Sequence, residues 1–387
     1  MKQFNTFFMG GFECADHINR SGTRINLLHE TAHSEKVYTD YALLVQAGIK
    51  TVREGICWSD VETIPYAYDF TEVRRRIDAA NYFGIQQIWD LCHFGYPDDL
   101  IPTHPLFADR FSTLCLAFAT FFKAYTDNTL YVIPINEISF LSWHSGDMRG
   151  TVPFAVNSGF DIKYHLCKAA IKGIETLKKV IPDCRILTIE PLIRIHDNVF
   201  CPDAERVHQM NEDQYQAMDI IGGYMCPELG GDPSYLDILG FNYYYNNQWV
   251  HYGPTLVWDD ENEPGTKLST LLDMAYRRYQ RPIVLSETGH FGEDRAKWMR
   301  YITDECKQAL FNGVELEGIC IYPVIDRPDW DDLSYYSNCG IWDFGHGKER
   351  VVHEPYYAMV QTCIAEIENL VPMFDIHVSQ NLMRAIS

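Results

Sequence analysis

Arg281-Pro-Ile-Val-Leu-Ser-Glu-Thr-Gly289 is the stretch on which the reading of this chain turns. Ile283, Val284 and Leu285 form the short apolar run of a strand buried on both faces. The run ends on a carboxylate, Glu287, and Thr288-Gly289 then breaks it. A charge at the end of an apolar strand is costly to bury without a partner, so such a residue is kept mostly where it has a task. Tyr131-Val-Ile-Pro-Ile-Asn-Glu137 has the same form, with the amide of Asn136 just before the acid. Two strand-end glutamates 150 positions apart fit paired catalytic carboxylates at one mouth of a barrel. Taken singly, each is equally well read as an ordinary strand-terminal acid.

Working outward, similar apolar runs recur at 6–12, 50–58, 85–92, 130–135, 185–189, 236–242 and 318–324. Helical patterns fall between and after them at 38–47, 70–82, 110–126, 161–179, 211–221, 268–279, 294–312 and 353–366. Gly48 and Gly84 stop the first two helices. The stretch 246–268 reads as loop, with Gly253-Pro254 and Glu263-Pro-Gly265. Strands alternating with helices along one chain predict an α/β fold, a single (β/α)8 TIM barrel over residues 1–370. Residues 371–387 are expected as a C-terminal tail or docking segment. A barrel of this kind gathers its site at the C-terminal strand ends. Polar residues collect there: Glu13, Arg53, His93, Asn136, Glu137, Glu190, Asn242, Tyr244, Glu287 and Asp326.

Composition narrows the classes. With 387 residues and 47% hydrophobic content, a sizeable core is expected and wholesale disorder is not. A net charge of -21 argues against nucleic acid or an anionic membrane as partner, since both need clustered Lys and Arg. The 8 Trp and 24 Tyr are abundant, and such side chains suit sugar faces, although most serve the core. The 12 cysteines contain no CxxC pair and read as buried free thiols of a reducing compartment. The N-terminal residues lack the apolar h-region of a signal peptide, and no run has the length of a membrane span. A cytoplasmic protein is expected.

Glutamates on the fourth and seventh strands, about 5 Å apart across a barrel mouth, would suit retaining glycoside hydrolysis. One attacks the anomeric carbon while the other donates a proton to the leaving oxygen and later activates water. Arg53 is placed to favour the charged form of the nucleophile, and Tyr244 to hydrogen-bond it. Asn242 and Tyr244, two apart on a strand, share a face. Asn136 suits a sugar hydroxyl. The plainer readings are an ion pair of Arg53 with Glu54 or Glu13, a core role for Tyr244, and a structural His93. Metal hydrolysis is the competing chemistry. No H-x-H pair occurs, but His29-Glu30-Thr-Ala-His33 matches HExxH. It lacks a third ligand and the longer metzincin pattern, so chance is the favoured reading. Gly222-Gly223 and Gly230-Gly231 read as turns, and GxGxxG is absent. No metal and no cofactor are expected.

Taken together and in order, the motifs resemble those of glycoside hydrolase family 1, the β-glucosidase family, in divergent form. Phe7-Phe-Met-Gly-Gly11 resembles that family's opening strand, and Arg53-Glu-Gly-Ile-Cys-Trp58 resembles its R-F-S-I-S-W. His93-Phe-Gly-Tyr-Pro97 resembles H-W-D-L-P, and Ile135-Asn-Glu137 the acid/base motif L-N-E-P. Gly240-Phe-Asn-Tyr-Tyr244 resembles G-I-N-Y-Y, and Leu285-Ser-Glu-Thr-Gly289 the nucleophile motif I-T-E-N-G. Val324-Ile-Asp-Arg-Pro-Asp-Trp330 resembles L-L-D-N-F-E-W, and Cys339-Gly-Ile-Trp342 the F-G-L-V stretch after it. The resemblance implies Glu137 as acid/base and Glu287 as nucleophile, assisted by Arg53 and Tyr244. It implies a sugar-contacting set of His17, His93, Asn136, Asn242, Tyr322, Asp329 and Trp330. Three of these depart from the family: His17 stands for Gln, Tyr322 for the stacking Trp, and Asp329 for the chelating Glu. Ile138 replaces the proline after the acid/base. Residues 331–338 contain no lysine to meet a phosphate, which argues against a 6-phospho-glycoside. The function this implies is a retaining β-glycosidase acting on small β-glycosides. The alternatives are a non-catalytic sugar-binding barrel and a transglycosidase using the same intermediate.

Overall fold

The structure, a computed structural model, describes residues 3–262 and 265–385, with side chains described to residue 370. Glu263 and Pro264 of the expected loop lie outside the described residues. Eight strands form a closed barrel: β1 (Phe8–Gly11), β2 (Thr51–Gly55), β3 (Gln86–Asp90), β4 (Tyr131–Ile133), β5 (Arg185–Pro191), β6 (Ile238–Asn242), β7 (Ile283–Thr288) and β8 (Leu316–Ile321). Each pairs in parallel with its sequence neighbours, and β1 pairs β8 to close the ring. The fold is therefore the expected (β/α)8 barrel. β1, β2, β3, β4 and β8 end before their apolar runs do, because residues such as Cys92 and Ile135 already belong to the loops that turn into the mouth, whereas β5 and β7 run on past theirs.

The two-residue period of each strand sorts side chains into two layers. Met9, Ile88, Ile133, Leu187, Ile189, Ile238, Val284 and Cys320 form one cluster enclosed by the strands. Their neighbours, such as Trp89, Val132, Ile186, Leu239, Leu285 and Ile319, pack outward in the larger core beneath the helices. Phe4 lies 5.2 Å from Tyr131, ring centre to ring centre, in the inner cluster. Helices cover the outside at His33–Gln46, Thr71–Phe83, Phe107–Tyr125, Gly159–Val180, Leu268–Tyr279 and Arg295–Phe311, close to expectation. The helix expected over 211–221 is instead two, Ala204–Asp213 and Gln216–Ile221. A helix that the sequence pattern did not announce, Ile138–Gly146, follows β4 directly. The last helix, Glu354–Ala385, carries the backbone well beyond the end expected at 366. Two small sheets flank the barrel, Arg194–His196 with Gln248–Val250 and Trp342–Phe344 with Arg350–Val352. All of the cysteines are unpaired, and all but Cys201 and Cys226 are buried. Among the described residues, no helix is long and apolar enough to cross a membrane.

The HExxH stretch does not form one helix. Leu27–Glu30 ends before Ala32, which adopts a left-handed φ of 55°, and a new helix begins at His33. His29 lies at the surface near Asp60, whereas His33 is buried. His33 Nδ1 meets Asp40 at 2.8 Å and its Nε2 meets Glu54 at 3.0 Å. Arg76 and Arg350 close this network on Glu54 and Asp40. Burial alone would raise the Glu54 carboxyl, but His33 and Arg76 hold it down at about 2. His33 thus belongs to a structural ion network that joins β2 to the helix before it and, through Arg76, to the helix Thr71–Phe83 after it. His33→Ala should destabilise the fold by about 3 kcal/mol in urea unfolding, because it leaves two buried carboxylates short of a partner. His29→Ala, at the surface, should stay within about 0.5 kcal/mol.

Candidate active site

Glu287 reaches the barrel mouth through an irregularity of β7. Val284 faces inward and Leu285 outward, as alternation requires. Ser286 faces in, its Oγ donating to Asn242 Oδ1 at 2.6 Å. Regular alternation would then turn Glu287 outward. Pairing with β6, however, skips from Leu285 to Glu287, and pairing with β8 skips from Leu285 to Thr288. This bulge adds one residue to β7 and re-aims Glu287 inward. Thr288 resumes the outward direction, its Oγ1 accepting from Trp298 Nε1 at 2.9 Å.

The Glu287 carboxylate accepts from Arg53 Nη1 at 2.6 Å and from the Tyr244 hydroxyl at 2.7 Å. Arg53 projects from the middle of β2 into the barrel and is 2% exposed. Its other nitrogen, Nη2, donates to Asp90 Oδ2 at 2.7 Å and to Asn136 Oδ1 at 2.8 Å. Arg53 is thus tied to Glu287 rather than to Glu54 or Glu13. Asp90 also takes His93 Nδ1 at 2.9 Å. Burial would lower the His93 imidazole, but Cys14 and Asp90 beside it raise it well above the usual histidine range.

Glu137 follows β4 in a left-handed conformation, φ 43°, immediately before the helix Ile138–Gly146. A non-glycine residue there is strained, and such strain is retained mostly where side-chain direction matters. Its Oε1 accepts from Asn242 Nδ2 at 2.8 Å. Asn242 therefore bridges Glu137 to Ser286, the residue before Glu287. Burial, and then the nearby charge of Glu287, raise the Glu137 carboxyl to about 8. A second buried acid, Glu190, accepts from the Ser139 backbone N–H and is raised by burial to about 7.

The expected sugar-contacting residues are divided by the structure. His17 packs edge-on to Trp330 at 4.6 Å between ring centres and lies near Phe94 and His144. Burial lowers its imidazole to about 3, so it stays neutral. His17 Nδ1, Asn136 Nδ2 and Trp330 Nε1 are buried and have no protein partner among the described residues. Tyr322 stacks on His93 with ring centres 5.8 Å apart, beneath the Arg53 guanidinium. Gly11 makes room for it, since a Cβ there would lie 2.2 Å from Tyr322 Cδ2. Asp329 is not drawn into the cluster. Its Oδ1 accepts from the backbone N–H groups of Asp331 and Asp332 in its own turn. Asp326, named for its strand-end position, caps the Cys339 backbone instead.

Two residues that the motifs did not assign join the site. Asp90 was hidden inside an apolar run, where its signal was a lone acid among buried neighbours. Glu13 follows β1, and its Oε1 lies 3.6 Å from His93 Nε2. Cys14, Asp90 and His93 bring three ligand-type atoms within 4.8 Å of one another. Asp90 is already paired with Arg53 through Oδ2, and the fixed positive charge of that guanidinium disfavours a cation.

No model of a known protein family matches the chain. It is 22% identical over 379 residues to aryl-phospho-β-D-glucosidase BglH of Bacillus subtilis (strain 168), covering 80% of this chain and 79% of that protein. It is also 22% identical over 388 residues to a 6-phospho-β-glucosidase of Dickeya chrysanthemi, covering 82% of each. Among solved structures, it superposes on a family 1 β-glucosidase of Thermotoga maritima with a TM-score of 0.71 at 16% identity, covering 96% of this chain and 99% of the other. The azafagomine complex of a Thermotoga maritima β-glucosidase gives a TM-score of 0.73 at 16% identity, with the same coverage. By sequence the chain is thus a distant relative of phospho-β-glucosidases, and by fold it is a (β/α)8 barrel similar to those of family 1 β-glucosidases.

Proposed function

We propose that this barrel hydrolyses small β-glycosides with retention, through a covalent glycosyl-enzyme. The observation that carries the reading is the contrast between two neighbouring carboxyl groups. Glu287 accepts from a guanidinium and a phenol, while burial and the Glu287 charge keep Glu137 protonated at neutral pH. Environments that separate two carboxyl groups in this way assign an acid and a nucleophile. In the first step a Glu287 oxygen bonds to the anomeric carbon, and the Glu137 proton passes to the departing oxygen. Ester formation removes the Glu287 charge, and with it one cause of the raised Glu137 carboxyl. Glu137 can then remain a carboxylate and take a proton from the water that attacks the same carbon, as the bond to Glu287 breaks and releases it as a carboxylate. Arg53 and Tyr244 hold Glu287 in position, and Asn242 holds Glu137. Asn136, fixed by Arg53 through its oxygen, offers its amide N–H to the sugar 2-OH. The three unpartnered polar atoms of His17, Asn136 and Trp330 support a polyhydroxylated ligand, because buried polar groups of a native fold ordinarily have partners.

The curated relatives are phospho-glucosidases by name, yet residues 331–338 carry two aspartates and no lysine. We therefore propose an unphosphorylated glycone. The barrel as a whole serves as the catalytic unit, in a reducing compartment consistent with its unpaired buried thiols. A panel of free and 6-phosphorylated aryl β-glycosides, with wild type beside Glu287→Gln, tests the reading. Turnover should fall on a free glycoside and drop by more than about 10³-fold in the variant, while the fold persists. Activity that survives the exchange would remove Glu287 as nucleophile, and turnover confined to phosphorylated substrates would overturn the glycone assignment.

The acid sets the alkaline limb. Glu137 is needed protonated, so kcat/KM should decline as pH rises through about 8, where it gives up its proton. Glu137→Gln should abolish that limb on aryl glycosides whose leaving groups need no acid. An isotope-edited infrared titration of Glu287→Gln should show Glu137 losing its proton at lower pH than in wild type, because one of the two main causes of its shift is gone.

A further inference from the structure

We infer that Glu13 is the carboxylate that holds one glycone hydroxyl in this barrel, a role that the family resemblance assigns to Asp329. The inference rests on the glycosidase reading above and deepens it. Asp329 spends one oxygen on the backbone of its own turn, and among the described residues no hydrogen bond joins it to Arg53 or His93, although its charge, like that of Glu13, acts on Arg327. Glu13 stands at the end of β1, on the same mouth, and is 5% exposed. Its Oε1 accepts from the backbone N–H groups of Cys14 and Ala15, each at 3.1 Å, which fixes the carboxylate before any ligand arrives. The Tyr322 hydroxyl lies 3.5 Å from the same oxygen, and His93 Nε2 lies 3.6 Å away. On the other side, Arg327 Nε stands 3.3 Å from Oε2.

These contacts place Glu13 among residues already given to the sugar. His93 and Tyr322 form one wall, and Arg327 lies over the Trp330 ring at 5.8 Å. A carboxylate offers about four lone-pair directions. Oε1 is well occupied, whereas Oε2 meets only the Arg327 guanidinium among the described residues. It therefore keeps acceptor capacity, on a carboxylate whose other oxygen lies beside His93 and Tyr322. Hydrogen bonds from hydroxyls to a charged acceptor in a water-poor site are the strong kind. Losing such an acceptor penalises a substrate only where that substrate has the hydroxyl. A purely structural Glu13 would instead penalise every substrate alike.

That difference is the test. The aryl β-glycoside that wild type prefers is prepared with its 3-, 4- and 6-hydroxyl groups deleted one at a time. Each is then assayed with wild type, Glu13→Gln and Asp329→Asn. Glu13→Gln should lower kcat/KM on the parent glycoside by about 10²-fold. On the one analogue that lacks the hydroxyl it holds, the same exchange should cost no more than about threefold. The Asp329→Asn penalty should be equal across the series. A Glu13→Gln penalty that is the same on every analogue, or a position-dependent penalty at Asp329 instead, overturns the inference and leaves the glycosidase reading standing. Thermal melting checks that the variant folds; if it does not, Glu13→Asp, which shortens the reach, goes through the same series. If wild type turns over no glycoside, calorimetry with deoxynojirimycin decides. Binding that weakens at least tenfold in Glu13→Gln supports the assignment. Equal affinity, or no binding to wild type, overturns it.

Discussion

A guanidinium buried inside a barrel has to be neutralised by what surrounds it, and the mouth of this one is built to meet that demand. Arg53 is almost wholly enclosed, and the desolvation of its charge is offset only if several acceptors converge on it. Glu287, Asp90 and the Asn136 oxygen do so, each from a different strand or the loop after it. Beyond Asp90 the pattern continues through His93 to Glu13 and then Arg327. The result is a row of alternating charges running across the mouth from β7 to the loop after β8. Each interior member has an opposite charge on both sides. Through this row, His93 and Glu13 in the loops are tied to Arg53 and Asp90 on the barrel strands.

The barrel was legible in the sequence because burial on both faces leaves a strong mark. Strands such as β7 and β5 read as apolar runs, and the helices between them show one apolar face. Glu137, Glu287 and Arg53 were legible for the converse reason, being charges where burial makes charge conspicuous. What escaped was geometry that composition does not encode. Strict alternation would have placed Glu287 on the outer layer, and only the pairing of β7 with both neighbours reveals the extra residue. The helix after β4 escaped because Ile138-Ser-Phe-Leu-Ser-Trp mixes apolar and small polar residues with no clear stripe. HExxH suggested two histidines on one helical face, and the left-handed Ala32 separates them.

The residues that the resemblance gives to the sugar show how far a motif can be carried. His17, Tyr322 and Trp330 fall where the family pattern puts them and do gather near one another and His93. Asp329 occupies its motif position but uses its carboxylate locally. A shortened side chain loses reach, and a nearby backbone N–H then becomes its nearest donor. Motif position fixes where a side chain begins; length and competing partners decide where it ends.

The bulge in β7 ties folding to chemistry. It makes Ser286 and Glu287 both face inward, so one strand presents a carboxylate and, through Ser286 and Asn242, steadies the opposing one. Were the irregularity smoothed out, Thr288 would turn inward and Glu287 would be driven toward Trp298 and the outer apolar layer. An unpaired charge buried there would be severely destabilising. Regularising this strand while Glu287 is kept would therefore cost stability as well as aim. The irregularity and the buried charge are matched, so that the same bulge that directs the carboxylate also keeps it out of the apolar layer.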